Sequence, residues 1–142
     1  MTSRWSVVLL SMWLALPVWA GNSGYQSPEQ VAGAETVDVT EAQRLHASGI
    51  VFVDVRSPRL HQRQHIPGAV HLDLNSRFTA AELAQVVGKD QPFVVYCSGE
   101  TCTRSFRAVA QAVRWGYTQV KYFRGGVVDW RDARLPLTKA SP

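Results

Sequence analysis

Cysteine is scarce: Cys97 and Cys102 are the only two in 142 residues, too few for a disulfide framework to stand in for a core. They must therefore mean something local. Charge of one sign is never massed either. The 15 Lys and Arg and the 11 Asp and Glu are interspersed, and the densest basic stretch, Arg131 to Arg134, contains Asp132, so no nucleic-acid partner is expected. Internal repeats and low-complexity segments are absent, so no repeat architecture is expected. Long apolar runs are lacking beyond the first 20 residues. Even there the run from Val7 to Leu16 stops at Pro17, short of the roughly 20 residues that a membrane-spanning helix needs.

That opening stretch, "MTSRWSVVLLSMWLALPVWA", carries one basic residue (Arg4), an apolar run and a small residue at its end, the pattern of a cleavable secretory signal over residues 1–20. An uncleaved anchor is the competing reading. No cysteine near Ala20 suggests a lipoprotein, and the lone Arg4 argues against the twin-arginine route. Removing 20 of the 142 residues leaves 122, the size of one compact domain, and lowers the formal charge from +4 to +3. The expected location is the periplasm of a Gram-negative host, with no membrane association after signal removal. There a bond between Cys97 and Cys102 is a live possibility. Residues 21–35, "GNSGYQSPEQVAGAE", are rich in Gly, Ser, Pro, Asn and Gln and read as a flexible lead-in. The folded domain is expected over 36–138.

Within that domain the pattern alternates. "TVDV" (Thr36 to Val39) is a short strand candidate, and Thr40 with Gln43 has the spacing of a helix-capping box before a helix stopped by Gly49. "IVFVDV" (Ile50 to Val55) and "PFVVYC" (Pro92 to Cys97) are nearly continuous apolar runs, as a strand buried on both faces requires. "AVHL" (Ala69 to Leu72) and "VKYF" (Val120 to Phe123) read as further strands. Thr79 with Glu82 marks a second capping box, "SFRAVAQAVRWG" a helix ended by Gly116, and "VVDWRDA" a last short helix. The expected fold class is α/β, with a mainly parallel sheet of about five strands and helices on both faces. Ligands of such sheets sit outside the carboxyl ends of the strands. Cys97 is at such an end.

The loop Ser98, Gly99, Glu100, Thr101, Cys102, Thr103 then lies between a strand end and a helix opened by Arg104 and Ser105. Its backbone N–H groups, with the unpaired ones of the helix start, can cradle an anion. A thiolate there is stabilised: a free thiol has a pKa of about 8.5, which such surroundings lower to about 3.5 to 7.5.

The residues "VDVRS" (Val53 to Ser57), "HIPGAVHLD" (His65 to Asp73), "VVYC" running into the loop, "RS" (Arg104, Ser105), "GY" (Gly116, Tyr117) and "RGGVVDW" (Arg124 to Trp130) together resemble a single rhodanese domain. The resemblance covers Val37 to Leu137. It implies a sulfurtransferase in which Cys97 carries a sulfane sulfur as a persulfide, taken from thiosulfate or a similar small anionic donor and passed to a thiol, a protein acceptor or cyanide. No cofactor is implied. The common family loop has an arginine five positions after the cysteine; here that place is Cys102 and the arginine is Arg104. Gln64 stands where the family has a glycine before "HIPGA".

Each feature has a second interpretation. Cys97 could be a small buried hydrophobe. Cys102 could resolve a persulfide on Cys97 by forming a disulfide, be reactive itself, or merely lock the loop. Arg104 could neutralise a sulfonate or be a solvated first-turn residue. Asp54 and Arg56 are expected to maintain the fold through an ion pair or turn hydrogen bonds, and His65 to form a turn that delivers the next strand. A zinc site from the two cysteines with His61 and His65 is conceivable, but both sulfurs lie in a loop that already has a use, so no metal is expected. The functional alternatives are a dithiol redox protein using Cys97 and Cys102, and a non-catalytic binding module; oxyanion chemistry of the related phosphatases ranks lower.

Overall fold

The computed structural model describes residues 24–139. The expected signal at 1–20, and the first residues of the lead-in, lie outside the described residues. Among the described residues five strands and five helices alternate: β1 (Ala34–Thr36), α1 (Val39–Ala47), β2 (Val51–Asp54), α2 (Pro58–Arg63), β3 (Val70–His71), α3 (Ala80–Val86), β4 (Phe93–Tyr96), α4 (Arg104–Arg114), β5 (Val120–Phe123) and α5 (Gly126–Asp132). The strands form one sheet in the order β1-β5-β4-β2-β3, and every neighbouring pair is parallel. The central strand is β4. Its carboxyl end therefore opens between two other strand ends, where the chain's loops can converge.

Strand alternation sorts the side chains into two cores. Val53 and Val55 beside Phe93 and Val95 of β4 and Cys97 just after it face one way, packing under Leu83 and Val87 and under α4's Ala108, Val109 and Ala112. Phe52, Val94, Tyr96 and Phe123 face the other way, against Ala42 and Leu45 of α1 and Val127 and Trp130 of α5. Helices thus cover both faces. Trp130, 1% exposed, is the largest fully buried side chain among the described residues, and its indole N–H is satisfied by the Pro136 carbonyl at 2.9 Å.

Local signals held to different degrees. Thr79 caps α3 by accepting from the Glu82 amide at 3.2 Å, as its spacing predicts. The first cap is two residues earlier than predicted: Asp38, not Thr40, accepts from the Glu41 amide at 2.9 Å, so Val39 opens a helix instead of ending a strand. Helix α2 was not foreseen in the sequence; it buries no residue, so no apolar period marks it, and Pro at its first turn is the sole local cue.

The lead-in is also corrected. From Ser27 onward it is docked against the domain: Ser27 is 3% exposed, the Tyr122 hydroxyl donates to Ser27 Oγ at 3.2 Å and to the Pro28 carbonyl at 3.1 Å, and Ala34 already belongs to β1. Among the described residues no helix is long and apolar enough to cross a membrane.

Candidate functional site

Because Phe93, Val95 and Cys97 alternate along one face, Cys97 enters the apolar layer beneath α4 and is 1% exposed. It is not a free thiolate. Cys97 and Cys102 form a disulfide with a Cα–Cα distance of 6.3 Å, inside the ordinary range. Both sulfurs are spent on each other, and His61 Nδ1 faces the Asp54 carboxylate at 2.9 Å, so the four conceivable zinc ligands are not brought together.

The loop is braced from two sides. On one, the start of α5 donates to its first carbonyls: Val127 N–H to Cys97 O at 3.1 Å and Val128 N–H to Ser98 O at 2.9 Å. Gly126 makes this approach possible. It has φ +56°, and a Cβ there would lie 2.3 Å from Cys97 O, so the "GG" that opens α5 is a packing requirement of the cysteine loop. On the other side the Glu100 carbonyl accepts from both the amide and the hydroxyl of Ser27, each at 2.7 Å. Arg124 completes this latch, donating to Ser27 O at 3.1 and 3.0 Å and pairing with the Glu100 carboxylate at 3.0 Å.

Between the braces, Gly99 is buried, Ser98 and Cys102 half-buried, and Glu100, Thr101 and Thr103 exposed. Of the six amides at 98–103, only that of Cys102 finds an acceptor among the described residues, Gly99 O at 3.0 Å. The α4 helix begins without a side-chain cap at Thr103, so its first amides likewise find no acceptor among the described residues. Free amides of this kind are what an anion would bind. Ser105, in the first turn of α4, has a fully buried hydroxyl with no hydrogen-bond partner among the described residues.

Arg104 does not point its charge into open solvent. Its Nη1 donates to Asp73 Oδ1 at 2.5 Å and to Val55 O at 3.3 Å, tying the start of α4 to the loop after β3. Burial pushes the Asp73 carboxyl up, but hydrogen bonds from the Asn75 amide, Arg104 and Ser76 outweigh it and hold the group below its ordinary pKa. The expected ion pair of Asp54 and Arg56 is present and buried. Arg56 reaches Asp54 through its amide at 3.0 Å, Nε at 2.9 Å and Nη2 at 2.6 Å, and the Tyr96 hydroxyl donates to the same carboxylate at 3.0 Å. Desolvation raises the Asp54 carboxyl, yet the hydrogen bonds from His61 and Arg56 win and keep it well below the usual carboxylate range. His65 is structural too: its backbone pairs in both directions with Thr138 at 2.8 Å, and the following turn uses Gly68 at φ +74°.

Two clefts flank the loop, with opposite character. Beside Ser98 an open cleft of about 410 Å³ is walled by Val127 and Val128 and edged by Arg56, Arg63 and Arg131. Beside Glu100 another of about 450 Å³ has Glu29, Asp38 and Asp129 around Arg124. Contacts that no local pattern announces are those of Ser27 and Asp73, whose partners Glu100 and Arg104 lie 73 and 31 residues away.

Comparison with known proteins agrees with this architecture. Residues 38–133 match the rhodanese-like domain family. The thiosulfate sulfurtransferase GlpE of Pseudomonas syringae pv. syringae is 37% identical over 91 residues, 64% of this chain and 81% of that protein. An HTH-type transcriptional regulator of Mycobacterium tuberculosis, Rv0324, is 34% identical over 115 residues, 79% of this chain. The match takes in only about half of that regulator's length, 49%. Among solved structures, the human single-domain sulfurtransferase TSTD1 aligns with a TM-score of 0.59 and 26% identity, covering 68% of this chain and 95% of that one. By matched residues, by a relative aligned over four-fifths of its length and by fold, this chain belongs to the rhodanese-like domain family.

Proposed function

We propose that the protein is a sulfurtransferase of the periplasm that carries a sulfane sulfur on Cys97. The single observation that carries the proposal is the position of Cys97: it directly follows the central strand of a rhodanese-family sheet, at the head of a loop in which only the Cys102 amide finds an acceptor among the described residues. Once an external dithiol has reduced the bond to Cys102, itself becoming a disulfide, the Cys97 thiolate attacks the outer sulfur of thiosulfate. The S–S bond of the donor breaks, sulfite leaves with its electron pair, and Cys97 holds a persulfide. An acceptor thiolate, or cyanide, then attacks the outer sulfur and departs as a persulfide or as thiocyanate, returning the Cys97 thiolate. Negative charge is present in both steps. The free loop amides stabilise it at the reacting sulfur, while the arginine-edged cleft beside Ser98 favours the approach of an anionic donor.

The test is steady-state thiocyanate production from thiosulfate and cyanide by protein kept reduced. Activity that vanishes in Cys97→Ser supports the assignment; reduced protein that releases neither sulfite nor thiocyanate, or a fully active Cys97→Ser variant, overturns it. The disulfide favours a second reading, a dithiol redox protein. Its discriminating quantity is the reduction potential of the pair, which must lie near that of exchanging partners if thiol–disulfide exchange is the function.

A further inference from the structure

The sulfur that would receive the donor's sulfane atom is the one an external acceptor reaches least easily. Cys97 is 1% exposed and packed with Val55, Val95 and Ala108 in the apolar layer. Cys102 is half-buried on the loop, and it already stands at bonding distance from Cys97. The loop between them is held at both ends. The α5 amides grip Cys97 O and Ser98 O, and Ser27 grips Glu100 O. A persulfide formed on Cys97 therefore stays beside Cys102. No guanidinium is left over from the head of α4 to shield it, because Arg104 is committed to Asp73 and Val55 O.

From this we propose that Cys102 is a catalytic residue that discharges the persulfide internally, so that the protein releases inorganic sulfide and ends its turnover as the Cys97–Cys102 disulfide. The step rests on the sulfur transfer to Cys97 described above. Cys102 Sγ attacks Cys97 Sγ, the inner sulfur of the persulfide. The Cys97–Cys102 bond forms, the bond between Cys97 Sγ and the outer sulfur breaks, and that sulfur leaves as hydrosulfide, taking the proton of the Cys102 thiol. Two thiols are oxidised to one disulfide and the sulfane sulfur is reduced to sulfide. Each further cycle needs an external dithiol to reduce the bond, which becomes that dithiol's own disulfide. Over a full cycle thiosulfate and a dithiol give sulfite, hydrosulfide, a proton and the oxidised dithiol. The protein is then a dithiol-dependent thiosulfate reductase, and the state held in the structure is the end point of its single turnover.

The full chain is reduced, freed of reductant under anaerobic conditions and mixed with thiosulfate; sulfite, sulfide and free thiols are counted per chain. Wild-type protein is expected to yield one sulfite, one sulfide and no remaining thiol. The Cys102→Ser variant is expected to stop after sulfite, keeping the extra sulfur on Cys97 until cyanide removes it as thiocyanate. Cys102→Ala, with the same readout, guards against a folding defect peculiar to one replacement. Wild-type protein that releases sulfite but no sulfide, with Cys102 still free, overturns the proposal and leaves the sulfur transfer standing. Absence of sulfite from wild type and variants alike overturns both.

Discussion

At the scale of single residues, charges around the cysteine loop are arranged unevenly, and one of them opposes the fold. Asp129 lines the acidic cleft. Burial, then the charges of Glu100 and Asp132, push its carboxyl above the ordinary value, with Arg124 only partly offsetting them. A raised folded-state value means that the folded protein holds this proton more tightly than the unfolded chain. The favourable contribution is then complete below the unfolded value, near pH 4, and is lost as pH rises through the folded one. At neutral pH the ionised group is a liability. Asp129→Asn is accordingly expected to raise the melting temperature at pH 7 and to lose that advantage below about pH 4. Thermal melts across pH check this; a lower melting temperature at pH 7 contradicts it. Asp54 works in the opposite sense. Its depressed value places its contribution above the unfolded carboxylate range, to be lost only in strong acid.

At the scale of elements, α5 and the Ser27 segment act as clamps on a loop that belongs to neither. The α5 clamp depends on one backbone conformation. Gly126→Ala adds a Cβ 2.3 Å from Cys97 O at φ +56°, where an L side chain is strained at a cost of about 1–3 kcal/mol. The expected outcome is lower stability by at least about 1 kcal/mol together with slower sulfite release, measured by denaturant unfolding and by the thiosulfate half-reaction. Wild-type values for both contradict the clamp. This element shows what local sequence can and cannot disclose. "VVDWRDA" reads as a helix because its apolar residues recur with helical spacing, and "IVFVDV" and "PFVVYC" read as strands because burial on both faces demands continuous apolar runs. The need for Gly126 is invisible in that pattern, since the atom it avoids, Cys97 O, lies just past the end of β4.

At the scale of the whole molecule, the parallel sheet was legible and its order was not, because periodicity states which faces are buried and not which strands are neighbours. Cys97 was legible as a strand-end cysteine from its place after "VVY" alone. Its burial and its bond to Cys102 required the packed helix α4 and the folded loop. The docking of Ser27 was hidden for the same reason: a single buried serine in a polar segment finds its partners only across the tertiary structure. The bond closes a loop with a sequence separation of only 5, for which chain entropy gives about 2 kcal/mol. Two cores on either side of the sheet remain when it opens, so the fold can tolerate the cycle between dithiol and disulfide that the proposed internal discharge requires. The most direct measurement is the mass of the thiosulfate-treated, previously reduced Cys102→Ser chain, followed by mapping to the peptide that carries the change. One added sulfur on Cys97 is expected; an unmodified Cys97 in a folded, fully reduced chain contradicts the assignment of this residue as the sulfur carrier.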